Sequence, residues 1–210
     1  MRQGQTMALF QYWNRLREGR RAPTRAEIEP ADIKTLLADT FILERDARKE
    51  AIFRLAGTRL CAIYGRELKG FSFVSLWREK DRDLAGRLAD AGFAAKSVSV
   101  TSFDGISRSG EVNPFELLIL PLDGGQEHPR CLGMVTAAAK PYWLGADPIV
   151  ESRIDGVRFI DPDREPFLAD KTSDAAPLFG NNGRNAAGPG GHGRQIRHLM
   201  VLDGGRRKPD

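Results

Sequence analysis

Sulfur and imidazole are scarce in this chain. Its 210 residues hold two cysteines, Cys61 and Cys131, and three histidines, His128, His192 and His198. Neither cysteine belongs to a C-x-x-C pair. Metal ligands usually come in tight local pairs, so no metal site is expected. Two lone cysteines fit a reducing compartment, although the two could pair with each other. Two of the three histidines fall near the C-terminal end, so no serine–histidine–acid set can be assembled and no catalytic residue is assigned. The expectation is a protein that is not an enzyme. Long apolar runs are missing too: none approaches the roughly 20 residues that a membrane helix needs. Met7-Ala8-Leu9-Phe10 is too short for the core of a signal peptide, and charged residues follow. A cytoplasmic location with no membrane contact is expected.

The formal net charge is +4, but it is unevenly placed. From Gly180 to Asp210 there are six of the 32 basic and two of the 28 acidic residues, which leaves 26 of each sign in the rest. The body is neutral and the end of the chain is basic. Neutrality argues against a nucleic-acid-binding body, and a basic tail would touch a polyanion only without sequence preference. A chain 41% hydrophobic can supply one core of the usual domain size, about 100–150 residues, with extensions on either side.

Hydrophobic spacing lays out the elements. Thr6 to Gly19 reads as a helix with Leu9, Trp13 and Leu16 on one stripe, widened by Phe10 and Tyr12. Thr6 is a fitting N-cap and Gly19 a fitting stop. Two readings of the aromatic stripe stand: packing against the main domain, or a dimer face with Trp13 and Phe10 as contact residues. Pro30 is suited to start a short helix carrying Ile33, Leu36 and Leu37. Strands are expected at Thr40–Glu44 and Ala51–Leu55, joined by the charged Arg45–Glu50 loop. A short helix follows through Leu60, Cys61 and Ile63, then a long one over Glu79–Lys96 with Leu84, Leu88, Ala91 and Ala95 on one face. Three longer strands come next: Ser97–Ile106, alternating through Val98, Val100 and Phe103, then Pro114–Leu122 and Arg130–Ala139. The turn-rich stretches between them predict a meander. Arg153–Ile160 is a further short strand. Gly180–Gly193, rich in Gly and Asn, reads as disordered. Helices set between two groups of strands indicate an α+β domain with its helices on one face of a sheet.

Phe53-Arg54-Leu55-Ala56-Gly57-Thr58-Arg59-Leu60-Cys61, followed by Tyr64-Gly65-Arg66-Glu67-Leu68, then Gly70, Phe73, Leu76 and Trp77, resembles a bacterial family of stand-alone PAS domain proteins. Trp13, Leu16, the Arg20–Arg25 segment with Pro23, and Pro30 are similar to that family's lead-in. Arg197-His198-Leu199-Met200-Val201-Leu202-Asp203-Gly204-Gly205-Arg206 is similar to its C-terminal signature. The resemblance covers most of the chain, and its weight lies in the order of the motifs. It implies a PAS-like five-stranded antiparallel sheet with helices over one face. It also implies a sensory, dimerisation or docking role. The organisation expected is a helical lead-in over 1–39, a PAS-like core over 40–141, a post-core extension over 142–179 and a flexible basic tail over 180–210.

Within that frame, Tyr64, Phe73, Trp77 and Phe103 are candidates to line a small-molecule pocket, or else they fill the core. Cys61 tempts a photochemical reading, but Arg59-Leu60-Cys61-Ala62-Ile63 does not match the Asn-Cys-Arg context of light-sensing flavin domains, and a structural role is preferred. The familiar haem mode is disfavoured because Glu79–Lys96 has no histidine to serve as axial ligand. Any cofactor therefore stays unassigned. The apolar run Leu199-Met200-Val201-Leu202 is expected to dock, on its own domain or on a partner by strand addition, with Leu199 and Val201 as contact residues. The functional reading is a non-enzymatic regulatory protein that acts through a protein partner or a homodimer. The alternative is a small-molecule receptor.

Overall fold

The computed structural model describes residues 1, 3–124, 129–164, 194–196 and 199–201. Contacts divide the chain into two units, Met1–Phe167 and Leu168–Asp210.

In the first unit the strands are β1 (Thr40–Arg45), β2 (Ala51–Ala56), β3 (Val98–Ser107), β4 (Val112–Leu122), β5 (Arg130–Ala137) and β6 (Ile149–Ile160). They form one antiparallel sheet in the order β2-β1-β5-β4-β3-β6. β4 shows how the sheet is covered on both sides. Phe115, Leu117 and Ile119 enter one apolar cluster, and Leu118, Leu120 and Leu122 enter another. Successive side chains of a strand point to opposite faces, so a strand buried on both sides reads as a continuous apolar run.

The helices α2 (Thr58–Ile63) and α3 (Glu79–Phe93), with a 3-10 helix at Phe73–Leu76, pack on the face that carries Phe115 and Leu117. The helix α1 (Gly4–Arg17) and the lead-in after it cover the opposite face. The expected helices between the two strand groups do lie on one face, and the lead-in makes the sheet a middle layer.

The lead-in departs from expectation in detail. The first helix begins at Gly4, with Gln3 as its N-cap residue. Thr6 lies inside the helix, fully buried, and its hydroxyl meets that of Thr136 at 2.9 Å. Glu18 and Gly19, both with positive φ, end the helix. The segment at Pro30 forms turns followed by a 3-10 helix at Leu37–Asp39. Ile33 and Leu36 are buried there and Leu37 is exposed.

The sheet has six strands where five were expected. The segment read as a short strand outside the core is the twelve-residue β6, which pairs with β3 along its length. A register shift opposite Ser102 and Phe103 interrupts its alternation, as bulges do, and that hides its true length in the sequence. At the Gly57–Thr58 turn the backbone runs so close to the preceding segment that a Cβ on Gly57 would overlap the carbonyl oxygens of Leu37 and Ala38. Glycine is required there for that close approach.

In the second unit, β7 (Arg194–Ile196) and β8 (Leu199–Val201) form a two-stranded antiparallel ribbon. Leu199 and Val201 thus sit on a strand. The Gly180–Gly193 stretch lies outside the described residues.

Candidate functional site

In the apolar cluster on the face of the sheet that α2 and α3 cover stands a column of aromatic rings. Phe41 meets Phe53 and Phe73, Phe53 meets Phe73, Phe73 meets Trp77, Trp77 meets Phe103, and Phe103 stacks on Phe115. Centroid separations run from 5.0 Å (Trp77–Phe103) to 6.4 Å (Phe41–Phe73). These are ordinary separations for packed aromatic pairs. Three of the expected pocket residues, Phe73, Trp77 and Phe103, are therefore consecutive in one stack, each 2–3% exposed. The Tyr64 hydroxyl shares a 3.1 Å hydrogen bond with the Ser152 hydroxyl. Ser152 in turn bridges to the backbone at Trp77. Burial pushes the Tyr64 phenol up to about 12, against a smaller lowering by that hydrogen bond, so it stays protonated and able to donate.

Three polar atoms in this layer are buried without a hydrogen-bond partner: Trp77 Nε1, Ser99 Oγ and Thr101 Oγ1. Ser99 and Thr101 share the face of Phe103 by strand alternation. Val98 and Val100 belong to the opposite cluster, against the lead-in. The alternation read through Val98, Val100 and Phe103 therefore joins residues of opposite faces. That is why sequence reasoning passed over Ser99 and Thr101. The signal was present as two hydroxyl residues at positions two and four before Phe103.

Cys61 borders the column, half-buried on α2. Its Sγ lies 3.6 Å from Glu67 Oε1. Burial raises its pKa most, a backbone hydrogen bond at Leu68 lowers it in part, and the Glu67 carboxylate adds to the rise. That disfavours the nucleophilic thiolate. Cys131 is fully buried and pushed up to about 12 by burial.

The reading of Phe10 and Trp13 as an exposed contact surface does not hold. Trp13 is 0% exposed and Phe10 4%. The indole N–H of Trp13 donates to the Pro121 carbonyl at 2.7 Å, so the chain's own sheet covers the stripe. Exposed apolar area lies elsewhere. Val150 is 59% and Phe159 57% exposed, and both belong to the edge strand β6. The first half of that edge is covered: Arg78 N–H donates to the Ser152 carbonyl, and Ile154 N–H to an Asp81 carboxylate oxygen. From Asp155 to Ile160 no further strand lies beside it among the described residues.

Among the described residues there is no cluster of three or more metal-ligand side chains, and no helix is long and apolar enough to cross a membrane. His128, His192 and His198 lie outside those residues.

A sheet in the order 2-1-5-4-3, with its helices inserted between the second and third strands and an aromatic core beneath them, defines a domain of the PAS type. The family model described as PAS domain matches residues 1–136. The chain therefore belongs to the PAS domain family, whose members are sensory and regulatory signalling domains. The matched span takes in the lead-in as well as the core. Among solved structures the chain is similar to the PAS domain of an HTR-like protein from Haloarcula marismortui, at 17% identity and a TM-score of 0.38, over 51% of this chain and 89% of that one. No curated protein matches the chain.

Proposed function

We propose that the chain is a non-enzymatic, cytoplasmic regulatory protein that works by protein–protein contact, with the open half of β6 as its contact surface. The observation that carries this reading is the edge itself. Asp155–Ile160 pairs with β3 on one side only, and on the other it has no neighbouring strand among the described residues, with Phe159 more than half exposed there. Long open edges invite pairing with another strand, and an exposed aromatic anchor suits a contact that must also bury apolar area. A second copy of the chain or another protein would meet the same surface. Light scattering on the purified chain, with cross-linking in its native extract, tests this. The expected result is a dimer or a captured partner that is lost in Phe159→Arg. A strict monomer with no partner, or a complex indifferent to that substitution, removes the basis for the reading.

A second reading rests on a separate observation. Trp77 Nε1, Ser99 Oγ and Thr101 Oγ1 are buried polar atoms without partners on the inner side of the sheet. Unsatisfied buried groups are costly, and a small polar ligand between helices and sheet would satisfy them. Native mass spectrometry of the purified protein is the test. A co-purified small molecule, lost in Trp77→Ala, supports a receptor. No bound mass, and no thermal shift across a metabolite panel, counts against it.

A further inference from the structure

A cavity of about 260 Å³ opens beside α2, and no ring of the aromatic column lines it. Its apolar wall comes from Ala62 and Ile63 on α2 and from Ala137, Pro141 and Leu144 at the end of β5 and beyond. Its polar side is built from three charged residues. Asp39, 4% exposed, forms an ion pair with Arg59, whose side chain is 49% exposed. Lys140 lines the same cavity and acts electrostatically on Asp39 together with Arg59. Burial raises the Asp39 pKa, and the two cations oppose that rise.

Two cations and one carboxylate leave the mouth with a net positive charge. The carboxylate is spent on Arg59. It holds that guanidinium by one terminal nitrogen, which restrains the side chain and leaves most of its five N–H donors available to a ligand. Held this way, an arginine is suited to recognise a second carboxylate. A free inorganic anion would gain nothing from Ile63, Pro141 and Leu144, and a cation would be repelled by Arg59 and Lys140. The combination fits an anionic head with an apolar body, the usual division of labour in small-molecule sites.

We propose that this cavity binds a small organic carboxylate, its charge held by Arg59 and Lys140 and its apolar body seated against Ile63, Pro141 and Leu144. The occupant would touch two distant parts of the chain. Gln5 of α1 lines the cavity, and so does Thr136, whose hydroxyl meets Thr6 of the same helix. Binding would thereby tighten the seat of α1 on the sheet. The site lies outside the layer invoked for a core-bound ligand, and it does not depend on the β6 contact surface.

Isothermal titration of the full chain with benzoate and hexanoate tests the proposal, with benzamide, benzylamine and acetate as controls. Saturable binding of at least one of the two acids is expected. Benzamide, which lacks the charge, and acetate, which lacks the body, should bind at least about tenfold more weakly, or 1.4 kcal/mol. Lys140→Glu, at an exposed position, should weaken the acid by a similar factor with an unchanged circular dichroism spectrum. The double variant Asp39→Asn/Arg59→Gln removes the ion pair without stranding a buried carboxylate and should also lose binding. Absence of saturable binding by both acids, equal binding of benzoate and benzamide, preference for benzylamine, or indifference to Lys140→Glu each overturns the assignment.

Discussion

The Trp77 ring packs edge-on against Phe73 and Phe103, yet its indole N–H is buried with no acceptor. Two substitutions separate the ring from the N–H. Trp77→Ala removes the middle of the column and should cost about 3–5 kcal/mol, as large aromatic truncations do. Trp77→Phe keeps most of the packing and deletes an orphan donor whose burial costs about 1–3 kcal/mol. The two effects oppose, so urea unfolding should place Trp77→Phe within about 1 kcal/mol of the parent. A loss as large as that of Trp77→Ala would mean that the N–H is satisfied in solution, which is what the receptor reading requires. The thiols make a second residue-scale prediction. Cys131 is enclosed and held protonated up to about 12, and the Cys61 pKa is raised as well. With a thiol-specific chromogenic reagent at pH 8, Cys61 should react more slowly than a free cysteine. Cys131 should react only when the chain unfolds. Fast reaction at Cys61 would reopen the chemistry that its surroundings argue against.

Elements were legible in the sequence where one period dominated, and their packed faces were misread where small residues carry the contact. The aliphatic stripe of α3 was placed through Leu84, Leu88, Ala91 and Ala95. The buried positions are Asp81, Ala85, Leu88, Ala89, Gly92 and Phe93. Small residues let this helix lie close to the sheet, to the point that a Cβ on Gly92 would stand 2.7 Å from Cys131 Sγ. The packed face follows the small residues, and a search for large apolar ones rotates it. The aromatics of α1 had the reverse problem. Their stripe was plain, but no sequence pattern says which surface covers it. Trp13 now makes that surface testable. Trp13→Phe strands the Pro121 carbonyl and should cost about 1–3 kcal/mol. Trp13→Ala should cost about 3–5 kcal/mol and speed tryptic cleavage at Arg20 or Arg21, next to the helix end. Equal protease resistance in parent and variant would mean that α1 is held by other contacts. The connector after α1 adds a pH-dependent latch. Glu27 accepts from Arg20 at 2.6 Å and from the Thr24 backbone. These bonds, Arg20 foremost, lower its pKa from 4.5 to about 2. A lowered carboxyl pKa means that the folded state binds its proton later than the unfolded chain. The contribution is present above pH 4.5 and is lost as the pH falls through about 2. Glu27→Gln should flatten the stability–pH curve over that interval and leave the neutral-pH slope alone. An unchanged acid limb would show that the latch does not act in solution.

At the scale of the whole molecule the sheet is a middle layer, and this makes the lead-in part of the fold. Val98, Val100, Leu118, Leu120, Leu132 and Met134 form a continuous apolar surface beneath α1. Uncovering it would expose side chains whose burial is favourable by about 1.5–3 kcal/mol each, far more than a domain of this size can lose without consequence. A chain starting at Ala22 should therefore bind a hydrophobic dye, associate in light scattering and melt over a broad range. A chain ending at Arg164 keeps every element of the first unit. It should melt as one cooperative transition within a few degrees of the full chain, because every described member of both apolar clusters lies before its end. The two truncations together decide how far the folding unit extends. If the chain starting at Ala22 were monomeric and fully cooperative, the lead-in would be an appendage, and its aromatic stripe would again be free to serve as an interface. If it associates while the chain ending at Arg164 does not, the stripe is committed to the sheet, and any contact with a second copy or a partner has to be made through surfaces that α1 leaves open, the β6 edge first among them.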